Sequence, residues 1–230
     1  MNSIFQQLYG GLIVSCQAEG NSPFNNPADV AKFAIAALQG GANGIRTEGL
    51  EKTIAIANMV NVPVISLIKS EFSDGTVRIT GTFSDVEKLI STGCHIIAID
   101  GTFRKRENLT GPDFIANVKK RYQCIVMADI ATFAEAEACI MAGTDCISTT
   151  LSGYTPDTLH KNTGEPDIEL LAQLTNTFGA KIPVFAEGRF NTPAQAKCAI
   201  DNKAWAVVVG SAITRPHLIT NWFSNAIKTV

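Results

Sequence analysis

Short apolar runs alternate with helical patterns along the whole chain. The runs are GLIVSC (11–16), ANGIR (42–46), VPVISLIK (62–69), HIIAID (95–100), CIVMAD (124–129), CISTT (146–150), KIPVFAE (181–187) and WAVVVG (205–210). Seven of these eight are rich in Ile or Val, as parallel strands buried on both faces are. ANGIR fits the pattern least well. Helix starts are marked between the runs. Asn26 precedes Pro27, which suits a first helical turn. Ser84 with Glu87, Thr132 with Glu135, and Thr192 with Gln195 have capping-box spacing, and Pro193 follows Thr192 at the first helical position. Gly40, Gly41, Gly93 and Gly143 stand before strands, where helices end on glycine.

Strict strand–helix alternation repeated eight times predicts a parallel sheet. Eight such units within 230 residues match a (β/α)8 TIM barrel in a single domain over residues 1–230. An open doubly wound sheet more often carries a Gly-rich phosphate turn after its first strand, and SCQAEGN is a poor match to one. The segment MNSIFQQL is expected to form a short N-terminal helix covering the barrel floor. GGANGIRTEG, TGCHIIAIDG and AGTDCISTTLSG share a pattern of small residues, strand and glycine, and NKAWAVVVGS follows it more loosely. The repeat therefore spans two βα modules, as a barrel allows.

The odd-numbered strands end alike. Strands one, three, five and seven stop at Gln17, Lys69, Asp129 and Glu187. Barrel interiors are stacked in layers of four side chains drawn from alternate strands, and active sites lie at the C-terminal mouth. If the four point inward they form the top layer, with Lys69 facing Glu187 and Gln17 facing Asp129. Any one alone reads as a solvated strand end, and Lys69–Asp129 alone as a buried ion pair. Together, an opposed base and acid with amide and carboxylate groups between them suit proton transfer. Arg46 ends strand two and offers a fork for a sugar oxygen or a developing enolate. Asp100, ending strand four, reads as structural. The loops EGRF (187–190) and GSAITRP (210–216) place Gly188, Gly210 and Ser211 near helix starts, where this fold commonly holds phosphate.

Composition removes competing classes. Apolar residues make up 46% and charged residues 17%, which is globular rather than disordered. Net charge is −2 and the densest basic cluster is Arg104, Lys105 and Arg106, so nucleic acid and anionic membranes are not expected partners. The six cysteines form no C-x-x-C pair, which argues against structural zinc and a disulfide framework. No His grouping has metal-ligand spacing: His95 opens a strand at the wrong end of the barrel, and His160 and His217 lack partners. Ser152 is not in a nucleophile elbow. Asp74, Arg78 and Lys161 read as solvated surface, and Trp205 and Trp222 as packing residues. MNSIFQQLYGG lacks a signal-peptide pattern, and no apolar run approaches the ~20 residues that span a bilayer. The expectation is a cytoplasmic protein.

At this point the residues resemble the bacterial N-acetylmannosamine-6-phosphate 2-epimerase family. The matching segments are GGLIVSCQ, GANGIRTEG, VPVISLIK, VRITGTFSDVEKLISTG, IIAIDGTFRKR, MADIAT, ISTTLSGYT, FAEGRFNTPAQA and AWAVVVGSAITRP, in order over nearly the whole chain. The resemblance implies an isomerase of amino-sugar and sialic acid catabolism. It would need no cofactor and no metal, and would interconvert N-acetylmannosamine 6-phosphate and N-acetylglucosamine 6-phosphate by inverting C2. It implies Lys69 and Glu187 as the acid–base pair, and Gln17, Arg46 and Asp129 as residues that hold the sugar. Gly188, Gly210, Ser211 and Arg215 would hold the phosphate end, and Arg189 is a further expected substrate-binding residue. GIRTEG and IKSEF depart from the GIRAN and IKRD of some relatives, just past the expected catalytic positions. A homodimer is consistent with such barrels.

The expected chemistry follows from acidity. C2 of the ring-opened sugar lies beside the C1 aldehyde, so its proton is acidic only in the open form. One group removes it, an enolate forms, and the opposite face is reprotonated. Lys69 must be neutral to act as the base. A Schiff-base aldolase or lyase also uses a strand-end lysine in a phosphate-binding barrel. A non-catalytic sugar-phosphate-binding barrel would bind without exchanging the C2 proton.

Overall fold

A computed structural model describes residues 3–228. Its strands are β1 (Leu12–Cys16), β2 (Gly44–Glu48), β3 (Val64–Leu67), β4 (Lys69–Glu71), β5 (Val77–Ile79), β6 (Ile96–Asp100), β7 (Val126–Asp129), β8 (Cys146–Ser148), β9 (Val184–Glu187) and β10 (Ala206–Val209). Eight of them close a barrel in the order β1-β2-β3-β6-β7-β8-β9-β10, with β10 pairing back to β1. Every barrel pairing is parallel. This is the (β/α)8 architecture that the alternation predicts.

Side-chain parity explains the unbroken apolar runs. Ile13, Ile65, Leu67, Ile96, Ala98, Met127, Cys146, Phe185, Ala206 and Val208 pack together inside the barrel. The residues between them, such as Ile97, Ile99, Val126, Ala128, Val184 and Val207, pack outward against Val86, Leu89, Phe114, Leu171 and Leu174 of the helices. Both faces are dry along most of each strand, so the runs stay apolar over successive positions, and the polar residues gather toward the C-terminal ends. Each fully buried Ile or Leu contributes about 1.5–3 kcal/mol.

The floor is closed by the helix Ser3–Leu8, whose Phe5 and Leu8 join the interior cluster. Met1 and Asn2 of the predicted MNSIFQQL helix lie outside the described residues. Trp205 fixes the helix: its indole N–H donates to the Phe5 carbonyl at 2.8 Å, and its ring meets Tyr9 edge-on. Gly44 makes room for this plug, because a Cβ there would come within 2.6 Å of Leu8 Cδ2. The same glycine makes ANGIR a weak strand pattern.

Three local expectations are corrected. The capping box of the helix Phe83–Ile90 is Thr82 with Asp85, not Ser84 with Glu87. TFSDVE contains both spacings, and starting at Thr82 turns Val86 and Leu89 into the core. The third run stops at Leu67, and Lys69 opens the antiparallel hairpin β4–β5, which turns at Asp74-Gly75. Arg78 is not solvated surface: its side chain is only 2% exposed and pairs with Asp74. The other capping boxes, at Thr132 and Thr192, and the Asn26 cap stand as predicted. Among the described residues no helix is long and apolar enough to cross a membrane.

Candidate active site

The inward positions at the C-terminal ends of the strands carry the polar residues of the interior. Gln17, Lys69, Asp129 and Glu187 continue the parity of Ile13, Leu67, Met127 and Phe185 beneath them. A cavity of about 510 Å³ opens above them, lined by Gln17, Lys69 and Glu187. Gly188, Arg189, Gly210, Ser211 and Arg215 line the same cavity. Eight of the ten predicted site residues thus share one space. The other two, Arg46 and Asp129, are 1% and 0% exposed and lie beneath it.

The pairing within the layer differs from the expected one. Lys69 donates to Gln17 Oε1 at 3.0 Å and forms an ion pair with Glu19. Asp129 and Glu187 instead share Arg46. The guanidinium reaches Asp129 Oδ2 at 2.5 Å through Nη2 and Glu187 Oε2 at 3.1 Å through Nη1. Arg46 therefore holds two carboxylates rather than standing free as a fork for the ligand. Among the described residues no ion pair joins Lys69 to Asp129 or Glu187. Lys69 and Glu187 still face each other in the topology, since β3 and β9 are four strands apart in an eight-stranded ring.

Three polar residues outside the predicted set join the site. Thr150 Oγ1 lies 2.7 Å from Asp129 Oδ1, 2.8 Å from Ser148 Oγ and 3.0 Å from Glu187 Oε2. The run CISTT, expected to be a strand to residue 150, ends as β8 at Ser148, and Thr150 sits in the 3-10 turn Thr149–Leu151 that follows. Thr149 pins the end of β9, donating to the Glu187 carbonyl at 2.9 Å and accepting from its N–H at 3.0 Å. Glu19, in the loop after β1, bridges the two sides of the mouth, with Lys69 on one side and Arg215 at 3.6 Å on the other.

Burial sets the titration of the acids. It pushes Glu187 up to about 7, with the Asp129 carboxylate adding to the effect and Arg46, Thr150 and Lys69 opposing it. Asp129 is likewise raised by burial, against the pull of Arg46 and Thr150. Burial works to raise Glu19 too, but the Lys69 hydrogen bond and the charges of Lys69, Arg215 and Lys52 hold it below the usual carboxylate range. Two buried carboxylates on one guanidinium carry more negative charge than their partner balances. A carboxyl group poised near neutrality can both give and take a proton.

The remaining site residues shape the rim. Gly188 has φ +106, a left-handed conformation that lets the chain turn directly after Glu187. Arg189 ties down the loop after β8, donating through Nε to the Glu165 carbonyl and through Nη1 to the Ser152 carbonyl, each at 2.7 Å. Gly210 and Ser211 open the short helix Ser211–Thr214, which Thr214 fastens to the Ser15 carbonyl at 2.7 Å. Trp222, expected to be a packing residue, lines the cavity mouth and is 39% exposed. Among the described residues there is no grouping of three or more His, Cys, Asp or Glu that can hold a metal ion.

Comparisons with known proteins give the chain's family and agree with its fold. The sequence profile of NanE, described as "Putative N-acetylmannosamine-6-phosphate epimerase", matches residues 30–229. A Clostridioides difficile protein described as "Putative N-acetylmannosamine-6-phosphate 2-epimerase" is 43% identical over 225 residues, covering 98% of this chain and 99% of that one. The bifunctional enzyme NanE/NanK of Brucella melitensis is 44% identical over 229 residues, which is 100% of this chain and 43% of that protein. Among solved structures, the N-acetylmannosamine-6-phosphate 2-epimerase from Clostridium perfringens superposes with a TM-score of 0.89. It is 41% identical, over 96% of this chain and 95% of the other. With a profile match over most of its length and relatives above 40% identity end to end, the chain belongs to the N-acetylmannosamine-6-phosphate epimerase family.

Proposed function

We propose that this chain inverts C2 of N-acetylmannosamine 6-phosphate and N-acetylglucosamine 6-phosphate with Lys69 and Glu187 as its two acid–base groups. The observation that carries the assignment is their placement. An amine on the β3 side and a carboxyl on the β9 side line one cavity from opposite walls. Inversion needs one proton-transfer group on each face of C2, and opposed walls supply two. Glu187, with a pKa near 7, can deliver or accept a proton at neutral pH. Gln17 orients the Lys69 amine. Arg46 and Asp129 anchor the Glu187 side from below. Gly188, Arg189, Gly210, Ser211 and Arg215 form the rim at which the phosphate is held.

The decisive experiment is incubation with either sugar phosphate in D2O, followed by NMR. The expected result is interconversion with deuterium at C2 of the product, without added metal or nucleotide. Lys69→Ala and Glu187→Ala should each lower turnover by about 100-fold or more with the fold intact. Activity within about tenfold of wild type in either variant sinks the two-group assignment. A Lys69 adduct trapped by borohydride would instead indicate Schiff-base chemistry, and binding without C2 exchange would indicate a sensor.

The protein is also proposed to be a cytoplasmic single-domain homodimer that binds no nucleic acid. The C-terminal helix Pro216–Lys228 supports the dimer: none of its residues is buried, and Phe223 and Ile227 are 69% and 78% exposed. An apolar groove of about 400 Å³ runs over β10 and β1, lined by Leu12, Ala196, Ile200, Val207, Val209 and Ile213. A second copy's C-terminal helix has the apolar face to fill it. Light scattering should give twice the chain mass, and Phe223→Asp with Ile227→Asp should give the monomer. A wild-type monomer at micromolar concentration counts against the dimer.

A further inference from the structure

The Thr150 hydroxyl has one proton and three oxygen neighbours within 3.0 Å: Asp129 Oδ1, Ser148 Oγ and Glu187 Oε2. It cannot donate to both carboxylates at once. Arg46 does not settle which one it serves, because Nη1 is 3.2 Å from Asp129 Oδ1 and 3.1 Å from Glu187 Oε2. Ser148 Oγ, at 3.4 Å from Glu187 Oε2, is the weaker neighbour. If both acids were ionised, Asp129 Oδ1 and Glu187 Oε2 would compete for the one Thr150 proton, with Arg46 Nη1 shared between them and the Ser148 hydroxyl, 3.4 Å from Glu187 Oε2, as the remaining donors. With one proton shared between the acids, the contacts become complementary: a protonated Glu187 donates to Thr150, and Thr150 donates to Asp129.

Resting on the reading of Glu187 as an acid–base group, we infer that Thr150 is a positioning residue that bridges Asp129 and Glu187 and sets which of them holds the shared proton. The exchange is balanced. The proton on Glu187 Oε2 passes to Thr150 Oγ1 while the hydroxyl's own proton passes to Asp129 Oδ1. Negative charge moves from Asp129 to Glu187, the threonine is regenerated, and no other reactant is required. Glu187 is thereby readied as a base, and the reverse exchange reloads it as an acid. The charged and titratable groups around the pair are Arg46 from β2, Lys69 from β4, Asp100 from β6 and Cys146 from β8. Lys69 and Arg46 favour the ionised form of Glu187, and Asp100 disfavours that of Asp129.

The test compares Thr150→Val, Thr150→Ala and Thr150→Ser by kcat and KM for N-acetylmannosamine 6-phosphate from pH 5 to 9. Donation from a hydroxyl favours the ionised form of its acceptor. Its loss in the valine variant should raise the Glu187 pKa, moving the acid limb of kcat/KM up by about one pH unit. Near pH 6 the fall should be about tenfold, in kcat rather than KM. Serine should restore the wild-type profile. If valine prevents folding, alanine gives the same readout on a variant whose melting temperature shows it folded. A valine or alanine profile that superimposes on wild type overturns the inference, as does a serine profile that shifts with valine, which would mark the methyl group as the active part. Glu187→Gln separates this result from the parent reading. If that variant turns over within about tenfold of wild type, the acid–base assignment itself fails. If it is inactive while the Thr150 profiles stay put, only the bridge fails.

Discussion

Two clusters of buried charge sit side by side where β6 and β7 end, with Asp100 and Asp129 as register partners. Their compositions are opposite. Around Asp129, one guanidinium serves two carboxylates, those of Asp129 and Glu187. Around Asp100, two guanidiniums serve one carboxylate: Arg104 at 2.6 Å and Arg106 at 3.0 Å. The surplus cation is not left bare. Arg106 donates through Nη2 to the Arg104 carbonyl at 2.7 Å and the Thr102 carbonyl at 3.3 Å, and through Nη1 to the Asp100 carbonyl at 2.5 Å. Thr102 adds its N–H and hydroxyl to Asp100 Oδ1. A guanidinium does not titrate in proteins, so an excess of arginine cannot exchange protons. It can only fix the loop 100–106. An excess of carboxylate can relieve itself by taking up a proton, and that proton is then available to chemistry. Neighbouring clusters of the same residue types thus become a staple and a reservoir according to which charge is in excess.

The comparison breaks most sharply at Asp100. Asp100→Asn leaves Arg106, which is fully buried, without its counter-charge. Removing one partner of a buried pair costs about 3–5 kcal/mol. Urea unfolding should show that loss, while the folded fraction keeps turnover within about tenfold of wild type. Large loss of turnover without loss of stability would place Asp100 in the reservoir rather than the staple.

The next effect is a pH dependence confined to the reservoir. Glu187 has an ordinary value of 4.5 and is raised to about 7 in the folded chain, first by burial. The unfolded chain sheds this proton first as pH rises. The associated stability is therefore intact below pH 4.5 and lost as pH climbs through about 7. At most about 3 kcal/mol is involved. Glu187→Gln has no such proton, so between pH 5 and 8 its stability should decline less steeply than that of wild type. Parallel curves for the two proteins would mean that Glu187 is ionised throughout that range.

The sequence exposed the reservoir's acids but not its wiring. Gln17, Lys69, Asp129 and Glu187 each interrupt an apolar run at an inward position, so parity and strand ends alone locate them. Arg46 was visible for the same reason. Its partners were not, because its side chain crosses the barrel interior, and the sequence pattern does not say how far a long side chain reaches. Thr150 closes the run CISTT, but β8 ends at Ser148, and Thr149 and Thr150 belong to the 3-10 turn that follows it. The pairing of β8 with β7 and β9 brings Thr150 between Asp129 and Glu187. Glu19 is likewise a loop residue whose partners come from β4 and the segment after β10. The hairpin was a different kind of omission. Asp74-Gly75 between SEF and TVRI is a recognisable turn signal, and it shows that Lys69 begins a new strand rather than ending an old one. The displaced cap at Thr82 turned on Asp filling the role that the motif usually gives to Glu or Gln.

The finest test lies within the staple itself. Arg104 and Arg106 both contact Asp100, but Arg104 is 15% exposed at the rim and Arg106 is wholly buried. Arg104 also receives less from the backbone, donating to the Val77 carbonyl at 3.3 Å and to Thr102 Oγ1 at 3.0 Å. In Arg104→Gln, Asp100 keeps Arg106 and both Thr102 donors, so its charge stays compensated and water can reach the vacated oxygen. The loss should be about 1 kcal/mol, the usual net worth of a hydrogen bond at a partly exposed site. Arg106→Gln removes the guanidinium that ties three carbonyls and leaves those acceptors buried, so it should cost several-fold more. Urea midpoints measured side by side decide the matter. Equal losses would mean that burial does not distinguish the two arginines, and that Asp100 is held by charge count alone.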